Sequence, residues 1–234
     1  VLNNICDADV LPVIRDRKSR GKLTVYELCD DLDEIPPSSP VRGFYAQPKN
    51  MLLVKRLANY CDALQFSSPE LFRKYGYLND YAVIFENQML SIPPERPRNP
   101  KDRVIVGWGG SAGHLKDMAN ISERLAGWIL SKRDVQLFLM GSVNIWDLFK
   151  KLPENKKKYF APGSLEQYYD FLSRLDIGIA PLEDTPFNRA RSDIKFLEYA
   201  AHGVAPVVQA AGPYLYSVRN GRTGILFTAT DGLI

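Results

Sequence analysis

Between residues 104 and 227, short apolar runs rich in β-branched residues alternate with helical patterns. That alternation limits the fold more than any other feature of the 234-residue chain. Residues 104–106, 135–140, 177–180, 204–208 and 225–227 read as strands, and 115–131, 165–175 and 192–202 read as helices. Leu115, Met118, Ile121, Leu125 and Ile129 recur at helical spacing, so one face of the first of these helices packs on a sheet. A helix between two strands carries the chain back across the sheet, so the strands run parallel in a doubly wound α/β layer. Ligands of such sheets collect at the carboxyl ends of the strands. Functional residues are therefore expected in the loops that follow strands.

The first ninety residues repeat the alternation less clearly. A helix reaches to about residue 19, a strand covers 23–28, and an acidic loop over 29–34 ends at Pro36, Pro37 and Pro40. A helix over 48–60, a strand over 63–66, a Ser-Ser-Pro-Glu helix start at 67–70 and a strand over 82–85 follow. Residues 91–102 are rich in proline and charge and lack periodicity, as an interdomain linker does. The expected division is a first, Rossmann-like domain over 1–90, apparently incomplete, a linker over 91–102, and a second Rossmann-like domain over 103–234.

With 45% hydrophobic and 11% aromatic residues, the chain can bury a core. Thirty Lys and Arg against 27 Asp and Glu leave a formal charge of +3, too small an excess to point to nucleic acid and suited to an anionic small molecule. Cys6, Cys29 and Cys61 are odd in number and lack metal-ligand spacing, so a reducing, cytoplasmic compartment is expected. No apolar run approaches the roughly 20 residues of a membrane span, and the first residues do not form a secretory signal. Peripheral contact with a membrane stays open.

Two segments carry chemistry. The first is the loop over 106–116, Val-Gly-Trp-Gly-Gly-Ser-Ala-Gly-His-Leu-Lys, where glycines let backbone amides approach a phosphate at the start of a helix. Gly107, Gly109 and Ala112 also fit the dinucleotide fingerprint, but the second strand ends Leu-Phe-Leu-Met-Gly without the acidic residue that holds a ribose. Phosphate, rather than NAD, is the expected ligand of Gly109, Gly110 and Ser111. A tight turn without a ligand is the plainer alternative.

The second segment runs from Asp176 to Val208. Ser192 reads as the N-cap of a helix whose start opens onto Asn188, Arg189 and Arg191. Lys195 and Glu198 share one face of that helix, and the surrounding Ile194, Phe196, Leu197, Tyr199 and Ala200 are apolar nearly all round. An intrahelical ion pair explains an isolated Lys and Glu at this spacing. On a buried helix the charges need a further reason.

From Asp176 to Phe227 the chain resembles the donor-binding half of retaining GT-B glycosyltransferases, the group that includes glycogen and sucrose synthase relatives. Asp176, Pro181, Lys195, Glu198, Gly203, Pro206, Val207, Gly212, Asn220, Gly221, Gly224 and Phe227 carry the likeness, with Ala205 inserted before Pro206. The resemblance implies two Rossmann-like domains and transfer of a sugar from a nucleoside diphosphate to a glycan, lipid or protein acceptor. It implies retention of configuration, no metal and no cofactor beyond the nucleotide-sugar substrate. It also implies that Glu198 accepts hydrogen bonds from ribose hydroxyls, while amides near Ser192 and a cation, Lys195 or Arg191, hold the diphosphate. Where the group often has a second glutamate, eight positions earlier, this chain has Ala190, and Asn188 and Ser192 are the substitutes.

Other features are weighed against plainer readings. Asp31 and Asp33 imitate a metal-binding Asp-x-Asp pair, but a solvated acidic loop is the simpler account. His114 opens the helix after the glycine loop, as a catalytic contact or a bystander; His202 suits a helix end. Lys156, Lys157 and Lys158 read as a solvated turn, and Trp108, Trp128 and Trp146 as core. Two rivals to the transferase remain: a non-catalytic nucleotide-sugar-binding module, and a nucleotide-sugar epimerase of the same fold.

Overall fold

The computed structural model describes residues 1–37, 39–94 and 102–228. Residues 95–101 of the expected linker, and 229–234 at the end of the expected second domain, lie outside the described residues. The chain forms two compact units. The first comprises Val1–Asn87 together with Asp184–Ser192; the second comprises Gln88–Glu183 and the chain from Asp193 onward.

In the first unit, β1 (Leu2–Asn3), α1 (Val10–Ser19), β2 (Val25–Leu28), α2 (Arg42–Tyr45), α3 (Pro48–Tyr60), β3 (Ala63–Phe66), α4 (Pro69–Tyr75) and β4 (Ala82–Ile84) follow one another. The four strands run parallel in the order β1-β2-β3-β4. The chain thus opens on a strand rather than a helix. Two residues are too few for a periodicity, and only the pairing of Leu2 with Tyr26 marks them as a strand. Tyr26, Leu28, Leu64, Phe66, Val54 and Leu57 fill the core between sheet and helices. Ser68 caps α4 by accepting from the Leu71 amide at 3.4 Å, as the Ser-Ser-Pro-Glu signal predicts.

The acidic loop after β2 is not simply solvated. Asp31 is buried, and its carboxylate accepts from Lys74 Nζ at 2.7 and 2.9 Å and from the Tyr75 hydroxyl at 2.7 Å. Asp33 lies 2.9 Å from the same hydroxyl. Burial, with the Asp31 hydrogen bond, pushes the Tyr75 phenol far above its usual range, so it stays a donor. Among the described residues no group of three or more His, Cys, Asp or Glu is arranged to hold a metal ion.

In the second unit come β5 (Val104–Gly110), α5 (Leu115–Ser131), β6 (Val135–Gly141), α6 (Val143–Asp147), β7 (Lys157–Phe160), α7 (Leu165–Leu172) and β8 (Ile177–Ala180). The short α8 (Pro186–Arg189), which belongs to the first unit, precedes α9 (Ile194–Ala201), β9 (Ala205–Gln209), α10 (Tyr214–Ser217) and β10 (Ile225–Phe227). All six strands are parallel, in the order β10-β9-β8-β5-β6-β7. Two cores cover the two faces. Val106, Trp108, Leu137 and Leu139 pack with Met118, Ile121 and Leu125 of α5, while Ala180, Val208 and Met140 pack with Phe171, Leu172 and Tyr199 of α7 and α9. This is the doubly wound arrangement that the alternation of elements predicts.

Of the lysine run, Lys156 ends a turn and Lys158 is exposed, but Lys157 is not solvated. Lys157 begins β7 and is buried; its ammonium sits 4.6 Å from the Trp146 ring centre, 3.3 Å from the Phe149 carbonyl and 3.2 Å from Glu154. The aromatic face and the two oxygens compensate the desolvated charge, which polarity read along the sequence does not reveal. Among the described residues no helix is long and apolar enough to cross a membrane.

Candidate functional site

In the second sheet, β6 lies on one side of β5 and β8 on the other, so the connections diverge at β5 and a crevice opens between the carboxyl ends of β5 and β8. The glycine segment leads into it, but three of its glycines belong to the strand, which continues to Gly110 instead of ending at Val106. Their reason is packing. A Cβ on Gly107 would lie 2.3 Å from Leu175, and one on Gly109 would lie 2.8 Å from the ring of Tyr168. The missing side chains let α7 and the turn after it settle on this face. Gly110 ends the strand, and exposed Ser111 starts the loop proper.

The loops after β5 and β8 are tied together by Asp117, a residue the sequence reading passed over. Buried in the first turn of α5, its carboxylate takes the Glu183 amide at 2.8 Å through Oδ1 and lies 2.8 Å from His114 Nδ1 through Oδ2. Lys116 adds an ion pair to Glu183 at 3.0 Å. His114 is thus held in place by Asp117 and set edge-on to Trp108, with ring centres 6.0 Å apart. An acidic residue in the first turn of a helix was the available signal, but it reads equally well as a response to the helix dipole.

On the other side of the crevice, α9 starts one residue later than a cap at Ser192 implies. Asp193 takes the N-cap position without a side-chain cap, and the Ser192 hydroxyl accepts instead from Asn87 Nδ2 at 2.7 Å. The Asp193 side chain does not cap α9, and the start of a helix favours an anion. Lys195 and Glu198 do face each other, at 3.3 Å, but a third group joins them. The Tyr168 hydroxyl donates to Glu198 Oε2 at 2.7 Å and accepts from Lys195 Nζ at 2.7 Å. Burial, with Tyr199 and Glu198 close by, raises the Tyr168 phenol far above its usual range and keeps its proton in place.

The second unit therefore brings together Gly109, Gly110, Ser111 and His114 at the β5 end, and Lys195 and Glu198 on α9, with Tyr168 touching both Gly109 and the charged pair. Asn188, Arg191 and Ser192 belong to the first unit. There Asn188 is buried in α8, and the Arg191 guanidinium lies 5.4 Å from the Phe187 ring centre. A groove of about 2040 Å³ in the second unit passes beside Phe160, Tyr169 and His202; neither Gly109, Ser111, Lys195 nor Glu198 lines it. Among the described residues its lining holds no lysine or arginine.

No protein-family model matches this chain, and no curated protein matches it. Solved structures do. A mutant of S. aureus TarM in complex with Fondaparinux, alpha-GlcNAc-glycerol and UDP aligns over 95% of this chain with a TM-score of 0.67 at 11% identity. Anabaena HepE in complex with UDP-glucose aligns over 94% with a TM-score of 0.62 at 16% identity. The apo form of the lipopolysaccharide outer core galactosyltransferase WaaB aligns over 97% with a TM-score of 0.56 at 14% identity. The chain spans 44%, 62% and 61% of those three chains, about half of each. The fold is the α/β GT-B type, built from parallel Rossmann-like sheets.

Proposed function

We propose that this chain carries the donor site of a glycosyltransferase, with a nucleoside-diphosphate sugar bound at the crevice between β5 and β8 and its sugar passed to a glycan, lipid or protein acceptor. The observation that carries the reading is the convergence at one sheet edge of the Gly110–Ser111 turn, the start of α9, and the Lys195–Tyr168–Glu198 group. UDP-glucose in the HepE complex and the galactosyltransferase activity in the name of WaaB, both on this fold, support it.

In this reading, amides of the α9 first turn and the Ser111 loop bind the diphosphate, and Lys195 supplies the positive charge. The charge that develops on the departing diphosphate is met by donors already in place, the largest single contribution such a site can make as the anomeric carbon becomes oxocarbenium-like. Glu198 accepts from ribose hydroxyls, and His114, fixed by Asp117, stands by the phosphates. No protein nucleophile is used, the configuration is retained, and no metal takes part.

A nucleotide-sugar-binding module without transfer is favoured by one observation, Ala190 in place of the second glutamate. Thermal melts with UDP, GDP and their sugars in EDTA test the donor site. The matching nucleotide stabilises the chain by about 2.7 kcal/mol at a hundred times its Kd. A gain that disappears in EDTA makes nucleotide binding metal-dependent and contradicts the metal-free site. Release of free sugar or transfer to an acceptor separates the enzyme from the module.

A further inference from the structure

The phenol of Tyr168 is bound at both ends of its hydrogen-bonding capacity. One proton and one acceptor position go to two oppositely charged side chains on α9 at equal distance, 2.7 Å, whereas Lys195 and Glu198 approach each other only to 3.3 Å. The ring is fixed as well: it fills the space that a Cβ on Gly109 would take and stacks on Phe171, with ring centres 6.4 Å apart and planes 20° from parallel. Lys195 Nζ also lies 4.8 Å from the Tyr168 ring centre. Every contact of the Glu198 carboxylate is on Oε2; Oε1 has no hydrogen-bond partner among the described residues.

Resting on the donor-site reading, we propose that Tyr168 is the positioning residue of this site: its hydroxyl spaces Lys195 from Glu198, takes up Oε2, and leaves Oε1 to accept from the hydroxyls of the bound nucleotide. Without the hydroxyl, the existing 3.3 Å ion pair between the lysine and the carboxylate tightens, because a partly desolvated charge takes the nearest opposite charge. That pair competes with the ligand for both groups. The phenol acts through Glu198 and Lys195 and touches neither the sugar nor the phosphate.

The test is a double-mutant cycle on nucleotide affinity. Y168F keeps the ring against Gly109 and Phe171 and removes one atom. It is expected to weaken UDP, or GDP if that is the preferred nucleotide, by roughly tenfold, about the value of one hydrogen bond to a charged group. Because the phenol works through the carboxylate, Y168F with Glu198→Gln is expected to bind within about twofold of Glu198→Gln alone. Replacement of Tyr168 by p-aminophenylalanine, which keeps a donor at the same place, is expected to restore most of the affinity, and it serves as the test should Y168F not fold. Y168F binding within twofold of wild type, losses that multiply in the double variant, or no rescue by the amino group overturns the proposal while leaving the donor site standing. A wild-type protein that binds neither UDP nor GDP overturns the donor site itself, and this proposal with it.

Discussion

Gly141→Ala is expected to destabilise the second unit by about 3 kcal/mol, the sum of a side chain forced into a left-handed backbone and an overpacked contact. Gly141 closes β6 at φ +118°, directly paired with Gly110 at the end of β5, and a Cβ there would lie 2.0 Å from the Gly110 carbonyl oxygen. A backbone oxygen inside a parallel ladder cannot rotate away as a side chain does, so the ends of β5 and β6 must separate. Thermal melts followed by circular dichroism check this. Gly127→Ala is the control: Gly127 lies exposed on α5, and its Cβ would meet nothing within 4 Å, so alanine raises stability by up to about 1 kcal/mol. Equal melting points for the two variants contradict the account of the strand ends.

The second large effect is on binding. Glu198→Gln keeps the shape of the carboxylate but removes its charge, and each hydrogen bond accepted by a charged group contributes about 1.5–3 kcal/mol. Nucleotide affinity should fall tenfold or more, since about 1.4 kcal/mol corresponds to a factor of ten. Because Lys195 shares Glu198 Oε2, the substitution also reaches the fold. Breaking a fully buried pair by removing one partner costs about 3–5 kcal/mol. Here the two side chains keep 16% and 12% of their surface exposed, so Lys195 can turn toward water and the loss should be about 1–2 kcal/mol. Titration calorimetry and melting measured together separate the two effects. Lower stability with unchanged nucleotide affinity makes Glu198 a structural partner of Lys195 only.

The fold was legible wherever a single helix or strand imposes its own period. Residues 48–60 and 115–131 form helices with those bounds, and 63–66, 177–180 and 225–227 form strands, because each is long or apolar enough to carry a pattern or is bounded by turn residues. The misses share a cause. The two-residue β1 and the lysine-rich β7 owe their state to pairing partners distant in sequence, Tyr26 for the one and Leu137 to Met140 of β6 for the other. Ser192 has the chemistry of a cap but spends its hydroxyl on Asn87, which no local signal reports. The run of glycines suggests space for a ligand, yet Gly107 and Gly109 leave room for Leu175 and Tyr168. Of the candidate site, the charged pair on α9 was visible as a spacing. The tyrosine that links it to Gly109, 27 residues before Lys195, was not, since nothing in the local sequence of α7 distinguishes it from a packing residue.

The crevice between β5 and β8 is tested most directly by a crystal structure of the chain with UDP, or with GDP if that nucleotide gives the larger thermal shift, grown in EDTA. The account predicts the diphosphate within hydrogen-bonding distance of the amides at Ser111 and the first turn of α9, and a ribose hydroxyl donating to Glu198 Oε1. A nucleotide seated away from that edge, for instance in the groove beside Tyr169 and His202 with the Lys195–Tyr168–Glu198 group unchanged, contradicts it.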